Sequence, residues 1–438
     1  MAPSLPTTTT TTLREYVDNA TKSTSSAPLP GVFLRIIDAQ NNVLFSHGSG
    51  DSITPTADSL VYIQSLTKLV GAIAFMQLVE RGLASLDDPK VITAHLPELA
   101  AQKVLTGYST DNDGKKLWHF EDRVGDITPR MLLNHTYGGG HTYFNKLLLE
   151  YFQDKGIWET TNEATDTYAT VLNSPLLWHP GTQTNYGQGL DWISVLIERL
   201  TKQACADYLQ ANIFDPLGLE STGFEPAFGG DILSRPESHG RFWPRILKTP
   251  DGSMTLDPPN GSDKIVREDP YPSGSHHTGA LGTGLVSSAS DYTRIVSIML
   301  PQNSGVDPVS SHRVLSPASV REISTACLPS HLQHQRQVPE SGGTPIIVPV
   351  ALDAAHLDPK GSFGIACGVQ GADRVLQDGK RGRSKGSVYW YGAANTDMWV
   401  DGEKGIVVFA NGNYYPWNDE AWVKFVAGVE GLVYEGLE

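Results

Sequence analysis

The chain has 438 residues, of which 39% are hydrophobic, so it is long enough to bury a large core in one two-lobed domain or in two domains. Aspartate and glutamate outnumber lysine and arginine by 48 to 33, which gives a formal charge of −15. This negative charge would repel a nucleic-acid backbone and an anionic membrane surface, so neither is expected as a partner.

The start of the chain and its cysteines predict the compartment. The first twenty residues carry no basic segment followed by an apolar one, and no run of 18 apolar residues occurs, so we expect neither export nor a membrane span. Cys205, Cys327 and Cys367 lie far apart and show no metal-ligand spacing. We therefore expect a soluble, cytoplasmic protein with free thiols and without a metal or another cofactor.

The first predicted elements are a tail, a helix, a hairpin and a second helix. A threonine run at residues 7–12 predicts a disordered tail over residues 1–12, ahead of a helix near 13–22. Residues 31–50 are predicted to form two strands joined by Asn41 and Asn42, which tolerate positive φ. A long helix then begins near Ser65, keeps its apolar residues at a spacing of three to four, and ends before Gly82.

The rest of the chain divides into a loop-rich middle and a strand-rich end. Residues 87–286 are richer in Pro, Gly, Trp and polar loops, with helical patterns near 129–134, 189–201 and 206–214. Strands are predicted over residues 362–370, 386–394 and 396–412, before an amphipathic helix near 419–434. We predict an α+β fold with an antiparallel sheet flanked by helices, in which a mostly helical lobe of residues 87–286 is inserted into a sheet lobe of residues 13–86 and 287–438.

Ser65 and Lys68 stand one helical turn apart at the start of the second helix. Side chains at positions i and i+3 of a helix are neighbours, so the lysine amine can reach the serine hydroxyl. A lysine serves as a base only when burial or another cation lowers its pKa, and the apolar residues around Lys68 favour such burial. The pattern alone does not decide, because a lysine that extends from a core helix to water also fits it.

Four further motifs resemble, in the same order, those of the serine β-lactamase and penicillin-binding-protein superfamily. They are ITPRMLLNHTYG at 127–138, LLWHPGTQTNYGQGLDWISVLIERLT at 176–201, GTGLVSSASDYTRI at 282–295 and KGSVYWYGAANTDMWVD at 385–401. Within this superfamily the chain looks class C-like, and it most resembles the fungal lovastatin-type acyltransferases (transesterases) and the family VIII carboxylesterases. The resemblance covers residues 13–438 and implies the β-lactamase/transpeptidase-like fold.

The resemblance also implies the catalytic residues. Ser65 would be the nucleophile, and Lys68 and Tyr186 would be its proton-transfer partners. The backbone N–H groups of Ser65 and Ala393 would form the oxyanion hole.

The substrate-binding candidates Trp390, Tyr391, Gly392 and Trp417 follow from the same resemblance, whereas His277 is a separate candidate. Trp390, Tyr391 and Gly392 stand at the position of the superfamily's Lys-Thr-Gly box, and Trp417 stands where the related acyltransferase has a pocket-lining tryptophan. His277, in a pair of loop histidines, either lines the pocket or is simply solvated. Because Trp390 replaces a cationic residue, a lactam carboxylate would lose its anchor. Tyr391 replaces a glycine of the esterases and would narrow the acyl site.

Together these features predict a serine acyl-enzyme catalyst for a small-molecule ester or thioester in specialised metabolism. We favour an acyltransferase that passes the acyl group to an alcohol acceptor, with an acyl-carrier protein or another thioester as a possible donor. A carboxylesterase that passes it to water is the first alternative. A β-lactamase or DD-peptidase-like hydrolase and a catalytically silent ligand-binding protein stay open, although Gln188 in place of the peptidases' asparagine counts against a peptidase.

Overall fold

A computed structural model gives the structure for residues 2–25, 28–50, 53–142, 144–156, 171–224, 230–249, 251–257, 280–329, 331–332, 336–337, 346–347, 361–376, 378–417 and 419–438. His277 lies outside these described residues, so its contact with a pocket stays a prediction. Within them, none of the helices is long and apolar enough to cross a membrane.

Helices and strands both contribute to the described part of the chain. The helices are α1 Thr7–Thr21, α2 Thr67–Glu80, α3 Lys90–His95, α4 Pro97–Ala100, α5 Pro129–Leu133, α6 Lys146–Lys155, α7 Gly189–Thr201, α8 Cys205–Leu209, α9 Asp215–Leu217, α10 Ala289–Ser297, α11 Pro317–Ser324 and α12 Glu420–Gly436. The strands are β1 Gly31–Asp38, β2 Val43–Gly50, β3 Val61–Tyr62, β4 Val104–Thr110, β5 Lys116–Glu121, β6 Gly223–Phe224, β7 Arg245–Lys248, β8 Met254–Asp257, β9 Leu285–Ser287, β10 Arg336–Gln337, β11 Ile346–Ile347, β12 Ser362–Phe363, β13 Gly368–Val369, β14 Val388–Gly392, β15 Thr396–Asp401, β16 Ile406–Asn411 and β17 Tyr414–Tyr415.

A seven-stranded antiparallel sheet joins the two ends of the chain. Its strand order is β12-β13-β14-β15-β16-β1-β2, so the N-terminal hairpin pairs with the C-terminal strands through β1 and β16. The β1–β2 hairpin turns at Asn41, which has a φ of 65°. The β15–β16 hairpin closes with a 2.8 Å hydrogen bond from the Gly405 N–H to the Asp401 carbonyl oxygen. The hairpin predicted over residues 31–50 and the α+β fold class are confirmed.

The two faces of this sheet bury separate cores. Alternate residues of β16 point to opposite faces, so that Val407 and Phe409 belong to the core that contains α2 and α10, while Val408 belongs to the core that contains α1 and α12. Helix α2 also lies against α7, and every residue from Thr67 to Leu78 is buried. The helix that follows Ser65 is therefore enclosed, which fixes its first turn relative to the sheet.

The predicted disordered tail over residues 1–12 is wrong from Thr7 onward, because α1 begins there. Threonine hydroxyls of this helix donate to backbone carbonyl oxygens one turn earlier at 3.0 Å. Leu13 and Val17 are fully buried against the outer face of the sheet, and the backbones of Ser4 and Glu438 exchange two hydrogen bonds. Burial of one apolar face outweighs the weak helix propensity of the threonine run.

Residues 87–286 contain strands β4 to β8 as well as helices α3 to α9. Strand pairing ties this segment to the rest of the chain, since β7 lies parallel to β17 and Val286 of β9 pairs with Tyr62 of β3. The proposed division into an inserted lobe of residues 87–286 and a sheet lobe stays a prediction.

Candidate active site

Ser65 lies in a single 3₁₀ turn, Gln64–Leu66, that leads directly into α2. Gln64 has a φ of 50°, a left-handed conformation that a residue with a side chain keeps only where its surroundings impose it. The turn is held from outside by a 3.1 Å hydrogen bond from the Ile63 N–H to the Leu285 carbonyl oxygen of β9. Ser65 therefore lies in a constrained turn directly before the first residue of a buried helix.

Ser65, Lys68 and Tyr186 come together although they lie on different parts of the chain. The Lys68 Nζ donates to the Ser65 Oγ at 3.2 Å, and the Tyr186 hydroxyl donates to the same Oγ at 2.7 Å. Lys68 also donates to the Gly282 carbonyl oxygen at 2.7 Å. The side chains of Ser65, Lys68 and Tyr186 are 8%, 2% and 7% exposed, so the alternative in which Lys68 extends to water is wrong.

Tyr186 is carried by the loop that precedes α7. Its neighbour Asn185 donates its backbone N–H to the His135 carbonyl oxygen at 2.8 Å and its side-chain amide to the Gly139 carbonyl oxygen at 2.6 Å. The turn that follows α5 therefore sets the position of the tyrosine. The Tyr186 ring packs between His135, whose ring centre is 4.6 Å away, and Trp390, at 5.7 Å.

His135 is a buried group of the site that the sequence analysis did not single out. Burial, with further contributions from the positive charges of Lys68 and His141, holds the pKa of His135 well below its usual value. A neutral imidazole therefore lies against the Tyr186 ring. The sequence feature that could have indicated His135 is its position directly after the apolar helix of the motif at residues 127–138.

The end of β14 passes close to residues 63–65. A Cβ added to Gly392 would lie 2.9 Å from the Ile63 carbonyl oxygen and 3.5 Å from the Ser65 nitrogen, so this approach requires glycine. Ala393 follows in the turn between β14 and β15. The backbone of residues 392–393 thus lies alongside residues 63–65, as an oxyanion hole formed by Ser65 and Ala393 would need.

Trp390 and Tyr391 of β14 and Trp417 form a row of packed rings, which we call the aromatic wall. The Trp390 and Tyr391 rings are stacked with centres 4.7 Å apart, and Tyr391 stacks on Trp417 at 5.8 Å. Burial above all raises the pKa of Tyr391 well above its usual value, so its phenol stays neutral. The side chains of Trp390, Tyr391 and Trp417 thus form uncharged aromatic surface at this end of β14.

Arg383, which precedes β14, forms a buried ion pair. Its guanidinium Nη2 lies 2.9 Å from Glu430 Oε2 on α12, and the two side chains are 6% and 0% exposed. Lys385, two residues further on, is exposed at the surface. Among the residues that the structure describes, no group of three or more His, Cys, Asp and Glu side chains is arranged to hold a metal ion.

Asp191 is the second group that the sequence analysis missed. It lies in the first turn of α7 and is 6% exposed. Its Oδ1 accepts a 2.8 Å hydrogen bond from the Gly282 N–H, so it contacts the residue whose carbonyl oxygen binds Lys68. The sequence feature that could have indicated Asp191 is its place as a single aspartate between Leu190 and Trp192, at the otherwise apolar start of a helix.

Comparison with known proteins gives the family. The family model described as Beta-lactamase matches residues 12–428. A lovastatin esterase from Penicillium rubens is 32% identical over 212 residues, which span 47% of this chain and about half (51%) of that protein. A monacolin J acid methylbutanoyltransferase from Aspergillus terreus is 25% identical over 424 residues, 94% of this chain and 93% of that protein.

Among solved structures, a variant of simvastatin synthase from Aspergillus terreus aligns with a TM-score of 0.74, covering 98% of this chain and 94% of that chain at 24% identity. That likeness shows the fold and confirms the predicted β-lactamase-like architecture. Since the family model spans nearly the whole sequence, the chain belongs to the beta-lactamase family.

Proposed function

We propose that the protein is a serine acyltransferase that moves an acyl group from a small ester or thioester to an alcohol through an acyl-enzyme on Ser65. The observation that carries this proposal is the buried contact of the Ser65 Oγ with both Lys68, at 3.2 Å, and Tyr186, at 2.7 Å. A serine hydroxyl is a weak nucleophile until a neighbouring base takes its proton. This geometry offers two groups that can receive that proton.

In the first half-reaction the Ser65 Oγ attacks the carbonyl carbon of the donor, and its proton passes to the deprotonated member of the pair, which is either the Lys68 amine or the Tyr186 phenolate. The oxyanion accepts hydrogen bonds from the backbone N–H groups of Ser65 and Ala393, each worth about 3 to 4 kcal/mol of barrier. The bond from the carbonyl carbon to the leaving oxygen or sulfur then breaks. The leaving group takes the proton from the pair, and the acyl group stays on Ser65.

In the second half-reaction the acceptor hydroxyl gives its proton to the same pair, and its oxygen attacks the acyl carbonyl carbon. The bond from this carbon to the Ser65 Oγ breaks, and the Ser65 Oγ takes the proton back from the pair. The aromatic wall of Trp390, Tyr391 and Trp417 supports an apolar alcohol as acceptor, because apolar surface near the acyl group disfavours water there. Hydrolysis is the second candidate. The identity with a lovastatin esterase over about half of its length favours it.

The substrate class of this proposal is a short acyl group on a small-molecule ester or on a thioester, including an acyl-carrier thioester, in specialised metabolism. The similarity to a methylbutanoyltransferase along nearly the whole chain supports a short acyl group. We place the reaction in the cytoplasm. Free Cys205, Cys327 and Cys367 support a reducing compartment.

The proposal is tested by offering the protein a methylbutanoyl thioester, with and without a panel of apolar alcohols. Ester product and free acid are quantified by mass spectrometry, with Ser65→Ala as the control. We expect ester to exceed free acid with at least one alcohol, and Ser65→Ala to form neither. Release of free acid alone with every alcohol would make the protein an esterase, and no Ser65-dependent turnover of thioesters or esters would end the proposal.

A further inference from the structure

Asp191 is linked to Lys68 through the backbone of a single glycine. The Gly282 N–H donates to the Asp191 Oδ1 at 2.8 Å, and the Gly282 carbonyl oxygen accepts from the Lys68 Nζ at 2.7 Å. The three residues lie on α7, on the loop before β9 and on α2. The described hydrogen bonds therefore run without a break from the Asp191 carboxylate to the Ser65 Oγ.

The Asp191 carboxylate is packed directly against Gly282. A Cβ added to this glycine would lie 2.9 Å and 3.0 Å from the two carboxylate oxygens. Asp191 is 6% exposed, and a buried carboxylate is costly unless hydrogen bonds satisfy it. The contact is thus specific for an acceptor at position 191 and for glycine at position 282.

The same stretch of chain also delivers Tyr186. Tyr186 lies just before α7, and Asp191 lies in the first turn of that helix. Tyr186 contacts Ser65 directly, whereas Asp191 reaches it only through Gly282 and Lys68. Residues at the N-terminal end of α7 therefore contact Ser65 through Tyr186 and contact the Lys68 partner Gly282 through Asp191.

We propose that Asp191 is a positioning residue that fixes the Gly282 carbonyl and so keeps the Lys68 Nζ directed at Ser65. This inference rests on the proposed roles of Ser65 and Lys68. Lysine carries its charge on a flexible four-carbon chain, and glycine has the freest backbone of any residue. Without the Asp191 acceptor, the Gly282 carbonyl loses its anchor and Lys68 loses its fixed second partner.

A double-mutant cycle on the labelling rate of Ser65 by a fluorophosphonate probe tests this role. The four proteins are the natural protein, Asp191→Ala, Lys68→Ala and the double variant. We expect Asp191→Ala to slow labelling about 30-fold in the natural background, and no more than about twofold when Lys68 is already alanine. Losses that multiply in the double variant, or an unchanged rate in Asp191→Ala, would overturn the proposal.

Two further variants keep the test decisive if Asp191→Ala folds poorly. Asp191→Asn keeps an acceptor oxygen, and we expect it to label within about threefold of the natural rate. Gly282→Ala forces the carboxylate away, and we expect a loss close to that of Asp191→Ala. Equal losses in Asp191→Asn and Asp191→Ala would contradict a role for this hydrogen bond. Asp207→Ala, an exposed aspartate on the next helix, is the matched control and should leave the rate unchanged.

A steady-state readout separates positioning from substrate binding. With a p-nitrophenyl ester, we expect Asp191→Ala to lower kcat while KM stays within about twofold, because Asp191 acts through Lys68. A raised KM at unchanged kcat would assign Asp191 to binding instead. If the natural protein shows no labelling at Ser65, the proposed function itself fails, whereas multiplying losses in a labelled protein remove only the role of Asp191.

Discussion

The Lys68 Nζ lies 4.6 Å from the centre of the Tyr186 ring, so the two groups that contact the Ser65 Oγ also contact each other. An amine that becomes protonated over an aromatic face is stabilised by about 0.5 to 2 kcal/mol, depending on its exposure. In the proposed mechanism, a proton that leaves Ser65 therefore enters a coupled pair rather than a single base. Removal of either member should impair both half-reactions.

The first prediction concerns this pair. We expect Lys68→Ala and Tyr186→Phe each to slow acylation of Ser65 by at least about 10², as loss of a proton-transfer partner does. Stopped-flow measurement of the p-nitrophenol burst gives this rate. Tyr208→Phe is the matched control, because its buried hydroxyl donates to Gln77 instead. Near-normal acylation in Tyr186→Phe would mean that Lys68 works alone.

The second prediction concerns the approach of β14 to the nucleophile. We expect Gly392→Ala to slow acylation about tenfold or more, because its Cβ would lie 2.9 Å from the Ile63 carbonyl oxygen and displace the strand. Gly431→Ala on α12 is the control, since the atoms nearest to its Cβ belong to flexible side chains at 3.3 Å or more. Equal rates for Gly392→Ala and the natural protein would remove the close approach from the mechanism.

The third prediction concerns substrate class. We expect short-chain p-nitrophenyl esters or acyl thioesters to be turned over better than nitrocefin by more than about 10³ in kcat/KM, or roughly 4 kcal/mol of transition-state binding. The reason is that Trp390 supplies no charge for the lactam carboxylate, and Arg383 is already paired with Glu430.

Comparison of the kcat/KM values for the two substrate classes checks this prediction. Faster turnover of nitrocefin would require another cation, with the exposed Lys385 as the first candidate. The protein would then be a β-lactamase.

The fourth prediction concerns stability and pH. Burial raises the pKa of the Glu430 carboxyl, but Arg374 and Arg383 outweigh it and lower that pKa to about 2, from 4.5. Because the pKa of the folded state lies below that of the unfolded state, the charged carboxylate contributes stability above pH 4.5. That contribution is lost as the pH falls from about 4.5 through about 2.

We therefore expect Glu430→Gln to lower the free energy of unfolding at pH 7 by about 3 kcal/mol, since it leaves the buried guanidinium group of Arg383 without its counter-charge. The difference should shrink as the pH falls from 4.5 towards 2.5. Chemical denaturation at several pH values measures it. Glu435→Gln on the same helix breaks only an exposed pair with Lys380, at 2.9 Å, and should change stability little. An equally small effect of Glu430→Gln would contradict the account of this ion pair.

Local signals in the sequence were enough for the first hairpin, the strands near the end of the chain and the helix that follows Ser65. Asn41 marked the first hairpin and Gly82 the end of the Ser65 helix, because both have the positive φ that a turn or a helix end requires. Helix α7 was predicted with its observed bounds, Gly189–Thr201. The start of α1 was missed, since its stability comes from burial of Leu13 and Val17 against distant strands rather than from its threonines.

The order of the motifs identified the candidate catalytic residues. It could not predict contacts between residues that lie far apart in the sequence. Asp191 and Gly282 are 91 residues apart, and neither carries a local sign that the other is its partner. His135 likewise gains its place beside Tyr186 from the turn geometry after α5. The spacing of apolar residues predicts a single helix or strand, whereas these contacts depend on how several helices and strands pack together.

The most direct test of the account is to identify the residue that carries the acyl group. The protein is mixed with a p-nitrophenyl ester, quenched in acid within the burst phase, digested, and its peptides are analysed by mass spectrometry. The account predicts an acyl mass increment on Ser65 that is absent from Ser65→Ala and disappears on further incubation with an alcohol acceptor. An increment on another residue, or turnover that persists in Ser65→Ala, would contradict it.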